Sequence, residues 1–206
     1  MAPSYKLTYF NSKGLAEPVR LMFAYAEVDY EDIRIEKENW PAIKPKQVFG
    51  KIPALEVDGE IIAESGAITR FVAKRLGLAG KTDIECARAD MVFEALKDLT
   101  SGVRAFVLEE DPAKKEELKN KFVSEMLMPF LINLEKIVQA NGGKHVAGNS
   151  LTYADFCVAH MLSEFKKFSS RQDMLDKFPG LKGLVEKFFT LPNIKKWVDK
   201  RPQTPF

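Results

Sequence analysis

The chain has little cysteine: two residues, Cys86 and Cys157, in 206. They form no CxxC pair and have no metal-ligand spacing, so a disulfide framework and a thiolate metal site are both excluded, which fits a reducing compartment. Long apolar runs are lacking too, so nothing reads as a bilayer span. No charged leader followed by an apolar core opens the sequence, and the cytoplasm is the expected location. Neither sign of charge dominates, with 31 basic against 29 acidic residues. That balance argues against a nucleic-acid partner. What is plentiful is apolar side chain, 46 % of the residues, enough for one large core or two modest ones.

The first 76 residues read differently from the rest. Tyr5 to Phe10 alternates as a half-buried strand does. Ala16 to Ala26 places Val19, Met22, Phe23 and Ala26 at helical spacing, with Pro18 early in the run where its missing donor is tolerated. Ile33 and Ile35 alternate with charges as a second strand. Asn39 to Gln47 reads as irregular or short helical turns. Ala54 to Val57 and Glu60 to Ala63 flank Asp58-Gly59, a strong hairpin signal. Ser65 is placed to cap a helix running to about Leu76. Residues 77–82 form the linker. From 83 to 206 only helices are expected: Asp83 to Leu108, Glu116 to Ala140 bent at Pro129, one opening at the Thr152–Asp155 capping box, and two short ones near Leu181 to Phe189 and Asn193 to Asp199. The fold class is therefore a small α/β domain followed by an all-α domain.

Ile52-Pro53 stands at the start of the third strand. For an isolated X-Pro bond the trans form is the ordinary expectation. Strand, helix, strand, then X-Pro at a third strand, a hairpin and a helix is the layout of thioredoxin-like domains, in which this bond is cis and leaves backbone groups open to an extended peptide. Thioredoxin-type redox chemistry also needs a cysteine at the first helix start, where the dipole stabilises a thiolate. Here that place reads Asn11-Ser12-Lys13-Gly14. A reacting thiol must then come from the ligand.

The segments Tyr5 to Asn11, Gly14 to Arg20, Trp40-Pro41 with Lys44, Phe49 to Gly59, Glu64-Ser65 and Asn149 to Phe156, together with Trp197 and Arg201-Pro-Gln-Thr, resemble the cytosolic glutathione transferases. The nearest likeness is the sigma class, which includes glutathione-dependent prostaglandin D synthases. The resemblance covers the whole chain. It implies a thioredoxin-like glutathione-binding domain over 1–76 and a helical domain over 83–206 that contributes a hydrophobic substrate pocket. It further implies a cytoplasmic homodimer that uses glutathione as co-substrate, requires no metal, and conjugates hydrophobic electrophiles in detoxification.

The resemblance assigns Tyr9 to donating a hydrogen bond to the glutathione sulfur, where a lone tyrosine at a strand end would otherwise read as a core aromatic. Ser12 is the rival donor, as in classes that use serine. Ser65 is assigned to the γ-glutamyl carboxylate at a helix start, a role compatible with simple capping. Glu64 stands where the sigma class usually has glutamine, and would face the γ-glutamyl ammonium. Trp40 and Lys44 are assigned to the glycine end; unaided, they read as a packed aromatic and a solvated lysine. Gly50, Lys51, Ile52 and Pro53 are assigned to backbone contacts with the cysteinyl part. Asp98, otherwise a solvated acid, is assigned to the ligand of the partner subunit across a two-fold axis. Phe10, Lys13, Val103, Arg104, Phe106 and Phe206 are assigned to the second-substrate pocket. Leu15 departs from relatives that carry arginine there, which weakens the case for prostaglandin isomerase activity. A glutathione-stabilised carrier of haem or hydrophobic ligands is the alternative to an enzyme. A structural crystallin-like relative would have no need of so complete a ligand set.

Overall fold

The structure is a computed structural model and describes residues 3–168 and 173–204. By internal contacts it divides into two compact units, residues 1–79 with 188–206, and residues 80–187.

The first unit is built on a four-stranded sheet of order β2-β1-β3-β4, made of β1 (Tyr5–Phe10), β2 (Glu31–Ile35), β3 (Ala54–Val57) and β4 (Glu60–Ala63). β1 and β2 run parallel, with Tyr9 opposite Arg34. β1 and β3 are antiparallel, as are β3 and β4. The β3–β4 hairpin turns through Asp58 and Gly59, both at positive φ (51° and 91°), the mirror-image turn that suits strand twist. The crossover from β1 to β2 is α1 (Glu17–Tyr25), with Pro18 in its first turn. Its Val19, Leu21, Met22 and Phe23 are buried, and beneath them lie Leu7 and Leu55 of the sheet, both with no exposed surface. Residues 37–46 form three short helical turns, of which α2 (Trp40–Ile43) is the longest. α3 (Ser65–Arg75) completes the thioredoxin-like order.

The second unit holds helices among its described residues. α4 (Asp83–Val107) opens on Thr82, whose hydroxyl accepts from the Glu85 amide at 3.2 Å. α5 (Pro112–Phe122) opens on Asp111, whose carboxylate accepts from the Lys114 amide at 2.9 Å. The sequence reading started this helix four residues late, because Pro112 reads as a breaker. After a capping aspartate it is a first-turn residue, its missing donor being one the helix would leave free anyway. The expected bend at Pro129 takes the form of a π-helical stretch, Val123–Leu127, between α5 and α6 (Met128–Ala140). Pro129 offers no amide to the carbonyl four residues before it, and the widened turn lies across that gap. α7 (Tyr153–Phe168) and α8 (Pro179–Thr190) follow.

The last helix, α9 (Pro192–Lys200), packs on α1 and so lies with the first unit. The sequence reading had grouped it with the other helices. Its Asn193 side-chain amide donates to the Tyr25 carbonyl at 3.3 Å, and Ile194 is fully buried.

Candidate active site

Strand register brings several of the expected residues to one end of the sheet. Thr8 pairs with Ala54, and Ala54 with Ala63. One step beyond that row lie Tyr9 at the end of β1, Pro53 at the start of β3 and Glu64 just after β4. β2 ends on the same side, and the segment with Trp40 and Lys44 leaves from there. The Ile52-Pro53 bond is cis. Phe10 meets Trp40 edge-on, ring centres 5.3 Å apart, which ties the end of β1 to α2. Lys44 is exposed, and its side chain runs close to Gly50, which sits at φ 61°. Lys51 is exposed and Ile52 half-buried.

Tyr9 is 8 % exposed. Its hydroxyl oxygen accepts a hydrogen bond from the Leu15 amide at 3.2 Å. Burial pushes the phenol above its ordinary value near 10; the Leu15 bond and the Arg20 charge oppose this in part. The hydroxyl is therefore neutral at physiological pH, with its oxygen already engaged and its proton left to donate. Gly14 makes this packing possible. It lies at φ 42°, and a Cβ there would stand 2.6 Å from the Tyr9 hydroxyl oxygen, far inside contact distance.

The loop that supplies Leu15 is gripped from behind. The buried Arg20 donates through Nη1 to the carbonyls of Ser12 (2.6 Å) and Lys13 (3.5 Å), and through Nε to Asp32 Oδ1 (3.0 Å). Its Nη1 also meets Glu17 Oε2 at 3.4 Å. The Glu17 Oε1 atom accepts from Trp197 Nε1 (2.8 Å) and Arg201 Nη1 (2.6 Å). Glu17 and Arg20 have no exposed surface. The sequence reading quoted these residues but gave them no role. Two charges three apart at the buried start of an otherwise apolar helix were the available signal.

The N-terminus of α3 differs in detail from expectation. Glu64 holds the capping position without a side-chain cap bond, and Ser65 is the first helical residue. Glu64 adopts φ 69°, ψ 121°, a strained conformation for a residue with a side chain. The amides of the first turn point outward at the positive end of the helix, as the expected carboxylate role requires.

Other expected residues lie elsewhere. Lys13 is buried, and its ammonium donates to the Thr204 carbonyl at 3.2 Å, so it is not an open pocket wall. Phe106 is 6 % exposed and packs on Phe122 at 5.5 Å, in the core of the helical unit. It follows Leu96 and Leu99 on the inward face of α4, a phase the sequence reading did not apply to it. Val103 is half-buried, Arg104 and Asp98 are exposed on the same helix, and Phe206 lies outside the described residues. A cleft of about 550 Å³ opens in the first unit against Phe23, Tyr30, Lys196, Trp197 and Lys200; none of the residues expected to hold glutathione lines it. Among the described residues no group of three His, Cys, Asp or Glu could hold a metal ion, and no helix is long and apolar enough to cross a membrane.

The family model described as glutathione S-transferase, N-terminal domain, matches residues 5–74, and that described as glutathione S-transferase, C-terminal domain, matches 97–201. The chain is 41 % identical to glutathione S-transferase 1 of Ascaris suum, over 99 % of this chain and 100 % of the relative. It is 40 % identical to hematopoietic prostaglandin D synthase of Gallus gallus, over 98 % of each. Among solved structures, a glutathione S-transferase described as a major nematode C. elegans specific one superposes with a TM-score of 0.91 at 38 % identity, over 100 % of both chains.

Proposed function

The chain belongs to the glutathione S-transferase family, and from that premise we propose that Tyr9 holds the sulfur of bound glutathione as a thiolate for attack on hydrophobic electrophiles. The observation that carries this reading is the state of the Tyr9 hydroxyl: buried, neutral, its oxygen taken by the Leu15 amide and its proton unengaged. A free thiol titrates near ~8.5, so only a small fraction is thiolate at neutral pH. A neutral donor on an anion contributes roughly 1.5–3 kcal/mol, equivalent to about one to two pKa units. A shift at the upper end of that range makes most bound glutathione thiolate at neutral pH.

The remaining contacts complete the proposal. The γ-glutamyl carboxylate lies on Ser65 at the start of α3, with Glu64 beside its ammonium. The cysteinyl backbone pairs beside Ile52 and Pro53 along Gly50 and Lys51, and the glycine end meets Trp40 and Lys44. Asp98 reaches the ligand of the partner subunit in a sigma-class homodimer, consistent with its exposed place on α4. The setting is cytoplasmic detoxification. Leu15 is 45 % exposed where arginine would bring a charge, so the electrophile approaches an apolar surface. That favours conjugation over prostaglandin isomerisation.

The test is the pH–rate profile of glutathione conjugation to a simple aryl halide, for wild type and Tyr9→Phe. Expected is a wild-type limb with an apparent pKa well below that of free glutathione, and roughly tenfold to hundredfold slower turnover in Tyr9→Phe near pH 7. Glutathione affinity should be nearly unchanged. An unaltered profile in the variant removes Tyr9 from the mechanism.

A further inference from the structure

Behind Tyr9 the C-terminal segment is fastened to the loop that sets its hydroxyl, at three points. Trp197 Nε1 and Arg201 Nη1 both donate to Glu17 Oε1, at 2.8 and 2.6 Å. The Lys13 ammonium donates to the Thr204 carbonyl. These bonds join residues 180 to 191 positions apart in sequence. From Glu17 the hold passes through Arg20 to the carbonyls of Ser12 and Lys13. The next residues are Gly14, packed against the Tyr9 ring, and Leu15, whose amide donates to the Tyr9 hydroxyl.

We infer that Glu17 is a positioning residue which couples the segment 197–204 to the hydroxyl of Tyr9. The physical case rests on charge and on clearance. Glu17 is a carboxylate with no exposed surface, shared between two cations and an indole donor. If the outer donors are lost, more of its charge must be met by Arg20, and the guanidinium is drawn away from the Ser12 carbonyl. The loop has little slack to absorb that shift, because even a methyl at Gly14 would overlap Tyr9. A displaced Leu15 amide frees the Tyr9 hydroxyl to turn, and a donor misplaced by a fraction of an ångström stabilises an anion less. Trp197 and Arg201 thus act on the reaction without touching substrate.

The inference rests on Tyr9 being the donor to the thiol, and the experiment separates the two. The apparent pKa of the bound glutathione thiol is read from its thiolate absorbance, beside kcat and KM, in W197F, R201M, the double variant, R201K and Tyr9→Phe. Expected in the double variant is a rise of about half to one unit in the bound-thiol pKa. Its kcat near pH 7 falls roughly threefold to tenfold. KM for glutathione moves by less than about twofold. R201K stays near wild type, because its charge still meets Glu17. W197F keeps an aromatic ring at the site and removes the indole donor, so it gives a smaller shift in the same direction and decides the matter if the double variant does not fold. A thiol pKa unchanged in all these variants, with only thermal stability lowered, reduces the segment to a structural strap and overturns the inference. A pKa unchanged in Tyr9→Phe, with a rise in the double variant, overturns the assignment of Tyr9 instead.

Discussion

The two units use buried polar groups differently. In the α/β unit, Glu17, Arg20 and Lys13 make bonds that span from a few residues to most of the chain, and they converge on one loop. In the helical unit the fully buried acid, Asp155, works within a short stretch. Its carboxylate accepts from the Thr152 amide (2.8 Å), the Thr152 hydroxyl (3.0 Å) and the Val146 amide (2.9 Å). The first arrangement fixes the loop that packs against the Tyr9 hydroxyl. The second fixes where a helix begins, in a core that includes Phe106, Phe122, Phe156 and Phe165. A buried charge must be compensated in either place; what differs is whether the compensation is local or long-range.

The largest effect should come from breaking the local case. Asp155→Ala leaves three buried donors unpaired and is expected to lower stability by about 3–5 kcal/mol, read by chemical denaturation. Asp155→Asn should recover part of this. Gly14→Ala breaks the long-range case with the opposite signature. Positive φ and the overlap with Tyr9 cost about 1–3 kcal/mol. Conjugation should fall roughly as far as in Tyr9→Phe, while glutathione still binds. A Gly14→Ala enzyme of normal turnover would show that the loop does not control the hydroxyl. Third, Asp111→Ala removes a surface cap from α5 and should cost about 1 kcal/mol with no change in kcat.

The smallest effect is a pH dependence in the helical unit. Glu135 accepts from the amides of Gly180 (2.8 Å) and Leu181 (2.9 Å) and from Gln139 (2.7 Å). Partial burial raises its pKa, but these bonds outweigh that and hold it below the ordinary 4.5. A depressed carboxyl contributes stability above its unfolded value and loses it as pH falls through the folded one. Glu135→Gln should therefore flatten the loss of stability below about pH 4.5, because it removes a contribution that wild type holds at all higher pH. Above that range stability is lower by a constant amount and its slope with pH is unchanged.

How much of this was legible beforehand follows the same division. Helix starts in the second unit carry their signal within four residues, so Thr152–Asp155 could be read directly. Asp111-Pro112 was misread only because its proline suggested an end and not a beginning. The hairpin at Asp58-Gly59 was equally plain, for its turn depends on two adjacent residues. The cis bond at Ile52-Pro53 was reached through the layout of its whole domain. The role of Glu17 had no local signature. It depends on Trp197 and Arg201, which no periodicity connects to the first helix, and grouping the C-terminal helix with its sequence neighbours concealed the contact. Phe106 was placed on a pocket wall by resemblance, although its phase with Leu96 and Leu99 already put it inside.

The sequence by itself determined the order of strands and helices, because propensity, turn chemistry and apolar period all act over a few residues; its resemblance to known proteins pointed to the family and to the phenol at the end of the first strand. The tertiary structure decided what surrounds that phenol. The donor to its oxygen, the clearance at Gly14 and the chain of charges reaching back to Arg201 are distances between residues far apart in sequence, and only the closed fold sets them.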